Sequence, residues 1–239
     1  MNKSQLTLIR RVNTLLIKRF GIPLRPQKLP NPLEMLIATI LSQNTNDKNS
    51  FRAFENLKTH INDWNELLNL DRVEIENLIK QAGLGKQKSA AIKRTVEYLN
   101  DKYGSVALKI NSNTENEEVL ASLTDIKGVG IKTASCVLLF SLGRNICPVD
   151  THVHRTLNRI GIVKTNSPEK TFYEINENFP ENIAHSFHTN LIRLGREICK
   201  PNIPACGVCP LNKVCNFKEK CIENVKSSKP IPFMLLDNV

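Results

Sequence analysis

The segment Ile126-Lys127-Gly128-Val129-Gly130-Ile131-Lys132-Thr133-Ala134 sets two glycines around one apolar residue and a lysine two positions further on. Glycines at those positions allow a turn with positive φ and the close approach of another backbone. A helix beginning near Ile131 would present unpaired N–H groups and the positive end of its dipole, which suit a phosphate. With Val129 turned inward as a plug, this is the pattern of a helix-hairpin-helix clamp on a DNA backbone. A plain helix connection with a glycine C-cap uses the same residue types. Lys132 falls in the first turn after the hairpin, where dipole and amides disfavour its charge, and partial burial would act the same way. An uncharged amine is what a nitrogen nucleophile requires, whereas a charged one would add a phosphate contact. Downstream, Pro148-Val149-Asp150-Thr151-His152 puts Asp150 at the start of a helix, either as its cap or as a carboxylate aimed into a cleft beside Lys132.

A second chemistry-bearing group lies near the C-terminus. Cys199, Cys206, Cys209 and Cys215 form a C-x6-C-x2-C-x5-C array, and Cys221 follows outside it. Four thiolates this close can converge on one centre. Zinc ribbons use two CxxC pairs, of which only one exists here. The compact loop suits a cubane iron–sulfur cluster, which takes four cysteines and more room. Disulfides are disfavoured in the reducing compartment that the cysteine distribution suggests. Structural metal is favoured over redox chemistry, because nothing nearby resembles a second electron site. Lys200 and Lys213 place positive charge on this loop, so the cluster can brace a DNA-facing surface. Cys136 and Cys147 sit among apolar residues and read as packed thiols.

The elements that must position these groups read as helices throughout. The chain has 239 residues, 41% of them hydrophobic, and a formal charge of +10, which makes a polyanion the leading partner class. No apolar run approaches the ~20 residues of a membrane span, and an intracellular protein without a secretory leader is expected. Residues 1 to 33 are basic with no acid. Leu6, Ile9, Val12, Leu16 and Phe20 share one helical stripe, so a structural helix is preferred there over a targeting segment. Pro23, Pro26, Pro30 and Pro32 punctuate its exit, and no proline recurs before Pro148. Apolar spacing in that interval predicts helices at about 33–43, 48–59, 64–69, 72–81, 87–102, 115–123 and 131–142. Thr114 and Glu117 form a capping pattern for the sixth. Further helices are expected at about 151–160, 168–177 and 183–198.

Taken together, the hairpin with Lys132, the Val-Asp-Thr-His segment and the cysteine spacing resemble the endonuclease III family. That family lies within the helix-hairpin-helix, Gly/Pro-Asp DNA glycosylase superfamily. The resemblance runs from about Pro32 to Cys215. It implies an all-α fold of two helical domains with the substrate cleft between them. A six-helix barrel bearing the hairpin would span 25–144, and an iron–sulfur domain would combine 1–24 with 145–225, leaving 226–239 as a tail. It also implies a bifunctional glycosylase and abasic-site lyase of base excision repair, acting on oxidised pyrimidines in double-stranded DNA as a monomer.

By the same resemblance Lys132 is the nucleophile, Asp150 the catalytic carboxylate, and the four-cysteine array the holder of a [4Fe–4S] cluster. Ser42-Gln43-Asn44-Thr45-Asn46-Asp47 is similar to the family's Ser-Ala-Gln-Ala-Thr-Asp. Asn44 then stands where a glutamine fills the space left by the flipped nucleotide, and Leu84 of Gly83-Leu84 wedges into the base stack. Gly128, Val129, Gly130, Lys127, Asn44, Gln43, Leu84 and His152 are the expected DNA contacts. Lys80, Lys86, Lys88, Lys93 and Arg94, with no acid from 79 to 94, suggest a DNA-facing surface beside Leu84.

The chain departs from the family at Ile126-Lys127, where Leu-Pro is usual, and at Asn44, which bears on base preference. Lys132 separates it from the related adenine glycosylases, which lack that lysine. Mismatch or alkyl-base glycosylases of the superfamily are the nearest rivals. A non-catalytic DNA-binding module has no need of both Lys132 and Asp150.

Overall fold

The computed structural model describes residues 1–223 and 227–229, and these contain helices and no strands. The described residues divide into two compact units, one comprising Lys28–Leu142 and the other Met1–Gln27 with those from Gly143 to the end of the described chain.

The first unit holds six α-helices. Asn31 accepts from the amides of Leu33 and Glu34, and Pro32 occupies the first position of α2 (Pro32–Ser42), where its missing N–H costs nothing. Met35, Leu36, Ile37, Ala38, Ile40 and Leu41 are all fully buried, so α2 is the central helix. It packs on α3 (Asp47–His60), α5 (Gly85–Tyr103) and α7 (Ile131–Cys136). A reciprocal Asp71–Glu74 capping box starts α4 (Arg72–Ile79), and Gly104 ends α5 in the left-handed conformation. The helix α6 (Asn116–Thr124) leads into the hairpin.

Three local expectations need correction. Glu115, not Thr114, is the capping residue of α6, and no side-chain cap bond forms; Thr114 N–H instead closes a turn onto the Asn111 carbonyl. The 64–69 segment is a short 3-10 helix, Trp64–Leu68. The expected 131–142 helix is α-helical only to Cys136 and continues as a π-turn over Val137–Ser141. Val137, Leu138 and Leu139 are buried on successive sides of that turn, so packing all around the helix outweighs the ordinary hydrogen-bond pitch.

In the second unit α1 (Lys3–Phe20) buries Ile9, Val12 and Leu16 against α10 (Ala184–Glu197). The apolar stripe read from the sequence is therefore core. The helices α8 (Thr151–Ile160) and α9 (Pro168–Asn176) pack beside each other, and α8 also lies on α10. The cysteine segment follows α10. The tail assigned to 226–239 falls outside the described residues except at 227–229. Among the described residues no helix is long and apolar enough to cross a membrane.

His185, in the first turn of α10, is held neutral: burial, then the nearby Arg25 charge, push its pKa down to about 4. An unfolded histidine titrates near ~6.5, so between that pH and about 4 the unfolded chain binds a proton that the folded unit refuses. Stability should therefore fall as pH drops through this window. Thermal melting from pH 7 to 4 is expected to show that fall, with a shallower slope in His185→Asn.

Candidate active site

The hairpin is built by α6, α7 and the turn between them. Val129 is 4% exposed and Ile126 is 3% exposed, so both apolar residues point into the core as the plug reading requires. Only Gly128 has positive φ, at 109°; Gly130 is extended, with φ −96°, and caps α7. The expectation that both glycines supply a left-handed turn is thus corrected to one. A Cβ on Gly128 would lie 2.7 Å from the Ala91 Cβ of α5, while one on Gly130 would meet nothing within 4 Å. Gly128 serves the fold, and Gly130 leaves an open backbone face.

Two side chains brace the turn from elsewhere in the same unit. Gln43 Nε2 donates to the Gly128 carbonyl at 3.2 Å and to Thr133 Oγ1 at 3.3 Å. Arg94 donates to the Lys127 carbonyl at 3.0 Å. Gln43, expected at the DNA, has a fixed job in holding the hairpin. Lys127 itself is exposed. Lys132 is the second residue of α7 and half-buried, and its Nζ has no hydrogen-bond or ion-pair partner among the described residues of its unit.

Asn44 and Leu84 share an unusual backbone, with φ of 49° and 50° respectively, in the left-handed region that L-residues other than asparagine seldom occupy. Leu84 precedes α5 and is 46% exposed. The basic patch expected around it is reduced. Lys88 is 2% exposed, and its Nζ donates to the carbonyls of Leu41 and Ala82, each at 2.8 Å. Burial lowers its pKa to about 8. Lys93 is similarly committed, to the carbonyls of Leu67, Leu68 and Leu70. These carbonyls end helices or turns and would otherwise lack partners, which is why two lysines point inward. Lys80 and Lys86 remain exposed. Lys88 could have been found from register, since it lies on the stripe of Ala91, Ile92, Thr95, Val96 and Leu99.

In the second unit Asp150 caps α8, one carboxylate oxygen accepting from the Val153 amide at 2.7 Å. His152 is the second residue of α8, its pKa lowered chiefly by burial, and lines a hollow with Arg196, Lys200, Pro201, Asn202 and Ile203. Two arginines of the same helix went unnoticed in the sequence. Arg155 donates to the carbonyls of Gly195 and Cys199, closing the end of α10. Arg159 donates to the carbonyls of Lys200 and Pro201, approaches Cys199 Sγ at 3.6 Å, and stacks on Phe217 at 4.4 Å. Their i, i+4 spacing on α8 was the available signal.

Cys199, Cys206, Cys209 and Cys215 all line one pocket, together with Arg159, Pro204 and Phe217. Among the described residues no three His, Cys, Asp or Glu side chains close on a point as a single ion requires. The thiols surround a space instead, and burial pushes Cys209 up to about 12 and raises Cys206. An all-sulfur donor set around a cavity fits a sulfur-ligated group larger than one ion. Cys221 stands beside this cage through its backbone, its carbonyl accepting from Cys206 N–H at 3.0 Å.

Residues 37–181 match the family model described as HhH-GPD superfamily base excision DNA repair protein. The endonuclease III of Thermotoga maritima is 35% identical over 202 residues, covering 84% of this chain and 89% of that protein. That of Sulfolobus acidocaldarius is 31% identical, covering 84% and 87%. A solved structure described as a trapped endonuclease III–DNA covalent intermediate aligns with a TM-score of 0.75 at 27% identity, covering 90% of this chain and 96% of that one. The chain belongs to the HhH-GPD superfamily of base excision repair proteins and, within it, to the endonuclease III family.

Gly128→Ala combines a left-handed backbone with a contact at 2.7 Å, and should cost about 1–3 kcal/mol. Gly130→Ala should cost less than about 1 kcal/mol, only its weaker capping being lost. Denaturant melts of the two variants check the contrast.

Proposed function

We propose that this member of the family removes oxidised pyrimidines from double-stranded DNA and cleaves abasic sites, with Lys132 as nucleophile and Asp150 as the catalytic carboxylate. As an endonuclease III it is a bifunctional glycosylase and lyase of base excision repair. The observation that carries the residue assignment is the unpartnered Nζ of Lys132, in a unit where the buried Lys88 and the half-buried Lys93 are consumed by carbonyls.

In this mechanism the open face at Gly130 lets backbone amides of the hairpin grip a phosphate. Leu84 and Asn44 enter the duplex as the damaged nucleotide leaves the stack. The Lys132 amine attacks the sugar carbon as the glycosidic bond breaks and the base departs with the bonding electrons. Asp150 stabilises positive charge on the sugar or assists proton transfer, using the carboxylate oxygen that the helix cap leaves over. The sugar ring of this adduct then opens, the C1′–O4′ bond breaking as the ring oxygen takes a proton, to give a Schiff base; loss of a C2′ proton then drives β-elimination, which expels the 3′ phosphate. Cys199, Cys206, Cys209 and Cys215 would hold a [4Fe–4S] cluster, which when bound braces the loop that carries Lys200. Lys200 adds charge for the DNA backbone, and the neutral His152 ring in the same hollow offers it a hydrogen bond.

Borohydride added during reaction with an abasic-site duplex should trap a covalent complex. Lys132→Ala should lower the yield by at least ~100-fold, and an undiminished yield overturns the lysine assignment. Asp150→Asn keeps a side-chain oxygen for the cap, so its melting point should change little while turnover drops ~100-fold or more. Protein purified without oxygen should be brown and carry about four irons per chain. Colourless protein with one zinc would refute the cluster.

A further inference from the structure

The inference deepens the functional reading above and rests on it. Lys88 uses one side chain to tie together the segments ahead of Asn44 and Leu84. Leu41 is the penultimate residue of α2, and the chain runs from it through Ser42 and Gln43 to Asn44. Ala82 closes the 3-10 turn Lys80–Ala82, from which Gly83 leads to Leu84. Lys88 Nζ donates to both of these carbonyls, and the Lys88 amide donates to the Leu84 carbonyl at 3.0 Å. One residue thus pins the Leu84 loop at both ends and fixes it to the end of α2.

A core position filled only for stability would favour an apolar side chain, because burying an ammonium without an anion costs free energy. Lys88 makes no ion pair among the described residues. Its neighbours along the helix stripe, Ala91, Ile92, Val96 and Leu99, are the ordinary apolar solution. Leu84 keeps a left-handed backbone that a loosely held loop would relax away from.

We propose that Lys88 is a positioning residue that sets the spacing between Asn44 and Leu84, so that both enter the duplex together. It acts through those two side chains and does not touch the reacting sugar.

The test compares trapping rates on two substrates for wild type and Lys88→Met. One substrate carries an abasic site in a fully paired duplex; the other carries the same site in a one-nucleotide bulge, where no opposing base must be parted. Misplaced insertion side chains should slow the paired substrate by ~10–100-fold and the bulged one by less than about threefold. Leu84→Ala, combined with Lys88→Met, should add little further loss. Equal losses on both substrates, or no loss on either, overturn the proposal. Lys88→Gln, which retains donor capacity in a smaller side chain, supplies the same ratio should Lys88→Met fail to fold; loss of folding in both assigns Lys88 to the core alone and also overturns it. A wild type inactive on both substrates defeats the functional reading itself, a result distinct from a normal wild type with an unaffected variant.

Discussion

Every helix ends in carbonyl groups with no partner inside it, and a bundle of short helices buries many such ends. In this chain the ends beside the chemistry-bearing loops are closed by long cationic side chains from other helices. Lys88 and Lys93 close them in the unit that carries the hairpin, and Arg94 adds the Lys127 carbonyl. Arg155 and Arg159 do the same around the end of α10 and the cysteine loop. A charge-assisted donor is stronger than a neutral one, and a buried carbonyl left bare is expensive, so these contacts set where the loops can sit. They also mean that the formal charge of +10 overstates what the surface offers a polyanion.

What the sequence made legible follows from periodicity and short-range spacing. The apolar stripe of α1, the inward Val129, the cap at Asp150 and the buried Cys136 and Cys147 depend on neighbours a few residues away. The four cysteines lining a single cavity likewise follow from local spacing. The helix register alone marks Lys88 as inward, but one of its two acceptors is hidden from local spacing: Leu41 lies 47 residues away in sequence. The hold of Gln43 on the hairpin is likewise invisible to local spacing, because its acceptor Gly128 is 85 residues distant. Gly130 was misread because two glycines of the same turn look equivalent in sequence, but only one bears the left-handed strain.

Asp150 has a structural task that fixes its orientation, since the bond to the Val153 amide leaves its second oxygen with a defined direction. That division lets one carboxylate be rigid and chemically available at once, which is what preorganisation requires. Lys132 is fixed only by its backbone position in α7 and by half-burial. Its long stem would be free to follow a sugar as bonding to it changes, which suits the proposed role of a nucleophile that stays attached through several steps.

The two left-handed residues carry the same logic into the loops. Asparagine is among the residues best tolerated at such φ values, so Asn44 holds its conformation at little cost, and a longer glutamine there would face a penalty of about 1–2 kcal/mol. The exchange of the family's glutamine for asparagine is therefore suited to this backbone while shortening the reach of the amide by one methylene. Leu84 has no such excuse: it is a large apolar residue, half in solvent, on a backbone that opposes it. A sequence selected for stability alone would place glycine or asparagine at that site. Retaining leucine breaks two local rules at one position, and such conflicts concentrate where a side chain has something to do beyond the folded chain itself.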